Sequence, residues 1–155
     1  MIIGVPKEVK NNEFRVGLTP SSALELTHAG HQVLIQTEAG LGSGYPDKEY
    51  IAVGATIIES AREVFSQAEL IIKVKEPQLQ ECAWLSPKHT LFTYLHLAPD
   101  TTQTEALLKS GSTCIAYETV TDDNGHLPLL TPMSEVAGRM SIQAGAHCLE
   151  KSQQG

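Results

Sequence analysis

Apolar runs of four to seven residues recur along the chain, each followed by a polar stretch that ends in a helix-start signal or carries a helical period. Ile2 to Val5, His31 to Gln36, Leu70 to Val74, Leu91 to Leu95 and Thr113 to Glu118 read as strands, because they are short, apolar and bounded by turn residues. The intervening helices are marked by their ends. Thr19 is placed to cap a helix with Pro20 at its first position, Leu24 and Leu26 within it, and Gly30 as its left-handed stop. Asp47 is expected to cap Lys48 to Val53, and Ser60 with Glu63 forms a capping box for a helix through Phe65. Pro77 stops the strand at Leu70 to Val74, since proline has no N–H for a continuing ladder. Pro99-Asp100 opens the helix Thr101 to Ser110, and Gly111 closes it. Strand-helix alternation of this kind predicts an α/β domain of about six strands and five helices, with a parallel sheet flanked by helices.

The last stretch has a different pattern. Asp122 to Gly125 is a turn signal, Pro128 and Pro132 keep the chain extended, and Ser134 is expected to cap one long helix to about Ser152 with no strand after it. Val136, Met140, Ala144 and Cys148 repeat at i, i+4, so they line one face that needs a partner. The chain therefore divides into a domain over residues 1–132 and a connecting helix over residues 133–155.

Composition narrows the class. A hydrophobic content of 41% over 155 residues suffices for one well-covered domain. Eighteen acidic against eleven basic residues give a net charge of -7, which argues against nucleic acid and acidic membrane surfaces as partners. Three cysteines, Cys82, Cys114 and Cys148, are widely spaced, which supports neither a disulfide framework nor a thiolate zinc site. None of the histidines forms an H-x-x-x-H pair, so no metal is expected. No stretch approaches the ~20 apolar residues of a spanning helix, and a cytoplasmic location follows as the expectation.

Three polar residues fall just past the carboxyl ends of predicted strands: Arg15, Lys75 and His96. Ligands of open parallel sheets bind along that edge. A guanidinium grips a carboxylate bidentately, an ammonium polarises a carbonyl, and an imidazole moves protons near pH 7. The set suits a small anion carrying a carbonyl, such as a 2-oxo acid. Each residue alone has an ordinary reading: Lys73 and Lys75 as neighbours on one face of a solvated strand end, His96 as a hydrogen-bonded structural residue, Arg15 as a surface residue. Their coincidence at one edge favours a site. Gly40-Leu41-Gly42-Ser43-Gly44 has the spacing G-x-G-x-G, with Tyr45-Pro46 interrupting, where a dinucleotide fingerprint needs G-x-G-x-x-G. It reads as a flexible surface loop.

Longer stretches carry a resemblance. Met1-Ile-Ile-Gly-Val-Pro-Lys-Glu8, Asn12-Glu-Phe-Arg-Val-Gly-Leu-Thr-Pro20, Lys73-Val-Lys-Glu-Pro77, Phe92-Thr-Tyr-Leu-His-Leu-Ala98 and Thr131-Pro-Met-Ser-Glu-Val-Ala-Gly-Arg139 together resemble the amino-terminal, substrate-binding part of the L-alanine dehydrogenase family over the whole chain. The nicotinamide nucleotide transhydrogenase alpha subunit and saccharopine dehydrogenase share the opening and the Arg-Val segment more loosely. The resemblance implies a Rossmann-like or flavodoxin-like substrate domain. It also implies reversible, NAD-dependent deamination of L-alanine to pyruvate and ammonia by a homo-oligomer. By position, Arg15 and Lys75 are similar to the residues that hold pyruvate, and His96 to the acid/base at its keto oxygen. Tyr94 and Met133 are similar to residues bordering the pocket, and Ser134 to one that meets the cofactor at a helix start.

Family members run well over twice this length. The resemblance implies that the NAD-binding domain, with an aspartate that takes part in catalysis, follows the region matched here, so residues 1–155 alone are expected to be inactive and to bind NAD poorly. The alternatives are a stand-alone 2-oxo-acid binding module and a transhydrogenase-like fragment.

Overall fold

The computed structural model describes residues 1–155 and contains six strands, all parallel, in the order β3-β2-β1-β4-β5-β6. The strands are β1 (Ile2–Val5), β2 (Gln32–Gln36), β3 (Thr56–Ile58), β4 (Leu70–Ile72), β5 (Thr90–Thr93) and β6 (Thr113–Ala116). The helices are α1 (Pro20–His28), α2 (Asp47–Ala52), α3 (Ala61–Gln67), α4 (Leu79–Cys82), α5 (Thr101–Ser110) and α6 (Thr131–Cys148). This is the α/β architecture expected, with one short strand, β3, and one short helix, α4, that no pattern had marked.

Alternation along the strands assigns the two faces. Ile3, Val5, Val33, Ile35 and Ile72 pack with Ala23 of α1 and Tyr50 of α2, whereas Ile71 and Leu91 pack with Val64 and Phe65 of α3, Cys82 of α4 and Leu107 of α5. Both faces are covered, as a parallel sheet requires. Because β1 leads to β2 over the first face and β4 leads to β5 over the second, the connections diverge between β1 and β4. That divergence is the topological switch point, and a crevice forms there at the carboxyl ends of the strands.

Most caps act as expected. Thr19 Oγ1 accepts from Ser22 N–H at 3.3 Å, Ser60 Oγ from Glu63 N–H at 3.3 Å and Asp100 Oδ1 from Gln103 N–H at 2.9 Å. Gly30 and Gly111 take the left-handed conformation after α1 and α5. Asp47 does not cap α2. Pro46 takes the cap position, and the Asp47 carboxylate accepts from Thr37 Oγ1 and Glu38 N–H, both at 2.8 Å, tying the start of α2 to the end of β2.

The chain separates into two units, Met1–Ala116 and Tyr117–Gly155. In the second, Asp122 Oδ1 accepts from Asn124 N–H at 2.9 Å and His126 N–H at 2.8 Å, closing the expected turn. The helix that follows starts four residues earlier than expected: Leu130, not Ser134, is its cap residue, and the Ser134 N–H already donates to Leu130 O at 3.1 Å inside the first turn. Val136, Met140, Ile142 and Cys148 of α6 are exposed. No helix is long and apolar enough to cross a membrane.

Candidate active site

The β1–α1 loop, the turn after β4 and the turn after β5 meet at the switch point. Tyr94 N–H donates to Val74 O at 3.2 Å, and Thr93 Oγ1 donates to Lys75 O at 2.9 Å, which stitches the turns after β4 and β5 together. Glu8 Oε1 accepts from Val74 N–H at 2.7 Å and ties the β1–α1 loop to the same turn. Farther along that loop, Gly17 presses on the end of β4: a Cβ there would sit 2.7 Å from Ile72 O and 3.2 Å from Lys73 Cα. Only glycine allows that approach.

Arg15 is therefore carried over the mouth of the crevice. Its guanidinium is gripped from within the loop, Nε donating to Glu13 Oε1 at 2.8 Å and Nη2 to Glu13 Oε2 at 2.6 Å, while Arg15 N–H also donates to Glu13 Oε1 at 2.9 Å. The guanidinium hydrogen bonds hold the Glu13 carboxyl below the usual carboxylate range, and the Lys75 charge acts on it in the same direction. In return, Glu13 raises the Arg15 pKa, and Tyr94 also acts on Arg15. Glu13 is thus within electrostatic reach of both Arg15 and Lys75, and Arg15 of Tyr94. Tyr94 is buried and its ring stacks on His96, the ring centroids 6.3 Å apart. His96 is exposed and adopts a φ of 47°, a left-handed conformation that costs a non-glycine residue of the order of 1 kcal/mol or more and concentrates at functional sites.

Lys73 does not behave as a partner of Lys75 on a solvated face. β4 ends at Ile72, and the Lys73 side chain turns inward with 0% exposure, its Nζ 2.8 Å from Glu81 Oε1 and 3.3 Å from Glu8 Oε2. Glu81 Oε2 accepts in turn from Gln78 N–H at 2.8 Å. Burial raises the Glu8 carboxyl pKa, although Lys73 and the Val74 N–H pull it down. A buried triad thus anchors the two loops that carry Arg15 and Lys75. Lys75, two residues on, is half-buried and forms no ion pair.

The glycine loop 40–44 is a surface segment but not a loose one. A Cβ on Gly42 would lie 2.6 Å from Phe14 O, and Ser43 Oγ donates to the same carbonyl at 3.0 Å. The loop braces the residue before Arg15. A cavity of about 240 Å³ opens beside it, with Glu8, Glu13, Arg15, Glu38 and Leu41 in its walls. Lys75, Tyr94 and His96 do not line that cavity, which shares only the Arg15 side with the crevice. Met133 and Ser134 belong to the second unit, in the first turn of α6, Met133 half-buried and Ser134 exposed.

Glu13, Glu8 and Glu81 were not marked as site residues by the sequence. The short-range signal for Glu13 was its spacing, two residues before an arginine in a loop, where its carboxylate can fold back onto the guanidinium. Glu8 and Glu81 lack even that, because their partners are far away along the chain or face them only once the sheet has formed.

Known proteins place the chain. Residues 4–137 match the family model described as alanine dehydrogenase/PNT, N-terminal domain. All 155 residues align at 57% identity with the alanine dehydrogenases of Halomonas elongata and of Methanococcus maripaludis, covering 42% of each. A solved L-alanine dehydrogenase superposes on the whole chain with a TM-score of 0.92 at 53% identity, 43% of its own length being covered. A transhydrogenase from Sinorhizobium meliloti superposes on 76% of the chain with a TM-score of 0.71 at 30% identity, 35% of that chain being covered. The chain spans about two-fifths of the length of its alanine dehydrogenase relatives, and by sequence and by fold it belongs to the alanine dehydrogenase/PNT N-terminal domain family.

Proposed function

We infer that residues 1–155 form the substrate-binding part of an alanine dehydrogenase, an oxidoreductase that interconverts L-alanine with pyruvate and ammonia using NAD. The observation that carries this is the convergence of the Arg15, Lys75 and Tyr94–His96 loops on the switch point of a chain 57% identical to named alanine dehydrogenases. In this assignment the Arg15 fork takes the substrate carboxylate, since guanidinium and carboxylate match in geometry as well as charge. The Lys75 ammonium polarises the keto oxygen as a point charge. His96 exchanges a proton at that oxygen, as an imidazole does near neutral pH. Tyr94 backs the imidazole by stacking.

NAD does not fit residues 1–116 as their binding partner. The first βα turn, where a dinucleotide fold presents its glycines to pyrophosphate, runs Pro6-Lys7-Glu8, and its one glycine, Gly17, is packed against Ile72 O. Gly40 and Gly42 are filled by Tyr50 and Phe14. Ser134, with its amide already bonded to Leu130 O, offers a hydroxyl at a helix start and no cradle. Hydride chemistry, when the nicotinamide is bound, is supplied by the cofactor, and the residues here hold and polarise the substrate. The exposed apolar face of α6 supports self-association of the protein as a homo-oligomer.

Calorimetric titration of the chain with pyruvate tests the assignment. Arg15→Lys is expected to weaken binding by ~1–3 kcal/mol through loss of the bidentate contact. In an enzyme carrying this chain, His96→Ala is expected to lower the rate ~10²–10⁴-fold while costing ~1 kcal/mol of pyruvate affinity. Unchanged pyruvate affinity in Arg15→Lys removes Arg15 from the site, and near-normal turnover in His96→Ala reduces His96 to a structural residue.

A further inference from the structure

We propose that Glu8 is a positioning residue for the substrate anion and takes up a proton when that anion binds at Arg15 and Lys75. The proposal rests on the assignment of Arg15 and Lys75 to substrate binding and goes beyond it by coupling that binding to a buried carboxyl group.

Glu8 joins the two loops that carry those cations. It belongs to the β1–α1 loop, as Arg15 does, and its Oε1 accepts from the N–H of Val74, the residue before Lys75, at 2.7 Å. Its Oε2 accepts no hydrogen bond and lies 3.3 Å from Lys73 Nζ. Glu8 and Arg15 also line one cavity of about 240 Å³, with Lys7, Glu13 and Glu38 as the other charged groups in its walls. The carboxyl group is almost unexposed, yet it borders the space beside Arg15.

The ion pairs along this seam leave one charge of each sign over. Lys7 pairs with Glu38 at 3.0 Å, Lys10 with Glu76, and Arg15 with Glu13 at 2.6 Å. Lys73 is shared by Glu8 and Glu81, so the ionised triad carries a surplus negative charge, whereas Lys75 has no ion pair and carries the surplus positive one. An anion that neutralises Lys75 leaves the buried negative charge uncompensated. A proton from solvent, placed on Glu8, removes it and leaves Lys73 and Glu81 as a matched pair. Glu8 is the member of the triad that can take it, because both Glu81 oxygens accept hydrogen bonds, from Lys73 Nζ and from Gln78 N–H, each at 2.8 Å. Oε1 can keep the Val74 N–H in either protonation state, so the tie between the loops survives. Burial already raises the Glu8 pKa, with the Glu81 charge acting the same way and Lys73 and the Val74 N–H opposing. A bound anion raises it further, so affinity increases as pH falls through the interval between the free and the ligand-bound pKa and levels off below it.

The test is calorimetric titration of pyruvate into the 155-residue chain at pH 5 to 8, in buffers of different ionisation enthalpy, which reads the protons taken up per pyruvate bound. The parent is expected to take up a large fraction of one proton and to bind about tenfold more tightly at the acid end, the effect of like charges roughly 10 Å apart at an effective dielectric near 20. Glu8→Gln, which cannot titrate, is expected to lose the uptake and flatten the profile. Glu81→Gln, which removes the surplus charge and keeps Glu8, is expected to reduce both, and it serves where Glu8→Gln does not fold. His96 is the other titratable group assigned to the anion, and His96→Gln is expected to leave the Glu8 share of the uptake in place. No uptake by the parent overturns the proposal. So does weaker binding in Glu8→Gln with the uptake intact, which leaves Glu8 a structural tie, and so does uptake abolished by His96→Gln alone, which assigns the proton to the imidazole. Pyruvate binding that is absent, or indifferent to Arg15→Gln, instead overturns the underlying assignment of the site.

Discussion

Lys73→Met gives the sharpest test of how the fold holds its site, because it removes the central charge of a triad with almost no access to water. The side chains of Lys73, Glu8 and Glu81 are 0%, 3% and 4% exposed. At an effective dielectric near 20, the 2.8 and 3.3 Å contacts correspond to attractions of about 6 and 5 kcal/mol. Desolvation of three ions takes back most of that, so the intact triad contributes little net stability. Its loss is another matter. With Lys73 gone, two carboxyl groups stay buried without a cation, and breaking buried pairs in this way costs about 3–5 kcal/mol. Met fills the volume, so the cost reflects charge rather than a cavity. With a urea m-value of roughly 2 kcal/mol/M, the midpoint falls by about 1.5–2.5 M at pH 7.

The pH dependence gives the same experiment a second axis. Burial already raises the Glu8 pKa in the folded protein, so the folded state holds a proton that the unfolded chain has released above the ordinary value of 4.5. Stability then falls as pH rises from that value through the raised folded pKa. In Lys73→Met the pull of the ammonium is gone, Glu8 rises further and the falling limb extends to higher pH. The variant is expected to recover part of its loss on acidification, as Glu8 takes up a proton and no longer needs a cation. Glu8→Gln in the same background is expected to restore part of the stability at pH 7. A Lys73→Met midpoint within about 0.5 M of the parent across pH 5–8 would refute the reasoning, because that is the size of effect expected for an exposed pair such as Lys7–Glu38.

Gly17→Ala is expected to cost about 2 kcal/mol or more and to weaken pyruvate binding along with it, since a Cβ 2.7 Å from Ile72 O forces the Arg15 loop off β4; urea unfolding and titration of one sample check both. Self-association is tested by sedimentation: the chain is expected to be dimeric or larger, and Met140→Glu, which places a charge in the exposed α6 stripe, to dissociate it, whereas a clean monomer at high concentration for the parent counts against the proposal.

How far these features can be read from sequence depends on the range of the interaction that creates them. The caps at Thr19, Ser60 and Asp100 and the stops at Gly30 and Gly111 were legible because each is satisfied within a few residues of backbone. β3, with three residues, and α4, with four, are too short to establish a period, and tertiary packing supplies their stability. Asp47 looked like a cap and became a tether, because Thr37 and Glu38 at the end of β2 compete for its carboxylate. The expectation of a parallel sheet followed from the alternation of elements, whereas the strand order, and with it the switch point, depends on pairings such as Ile3 with Leu70 that no local pattern contains.

The candidate site shows the same division most plainly at Lys73 and Lys75. Two lysines in the stretch Lys73-Val74-Lys75 are equivalent by composition and by strand periodicity. They are distinguished by Glu8, sixty-six positions before Val74 along the chain, whose loop folds over the end of β4 and delivers a carboxylate to the first lysine while binding the amide between the two. Lys73 is thereby committed to holding the turn, and Lys75, whose carbonyl is tied to Thr93 at the end of β5, forms no ion pair. Of these two lysines, the one left without an ion pair is the better candidate for a ligand contact. At this edge the loops supply an ion-pair partner for Lys7, Lys10 and Lys73 and none for Lys75, which is the physical reason to propose the second lysine, and not the first, as a ligand contact.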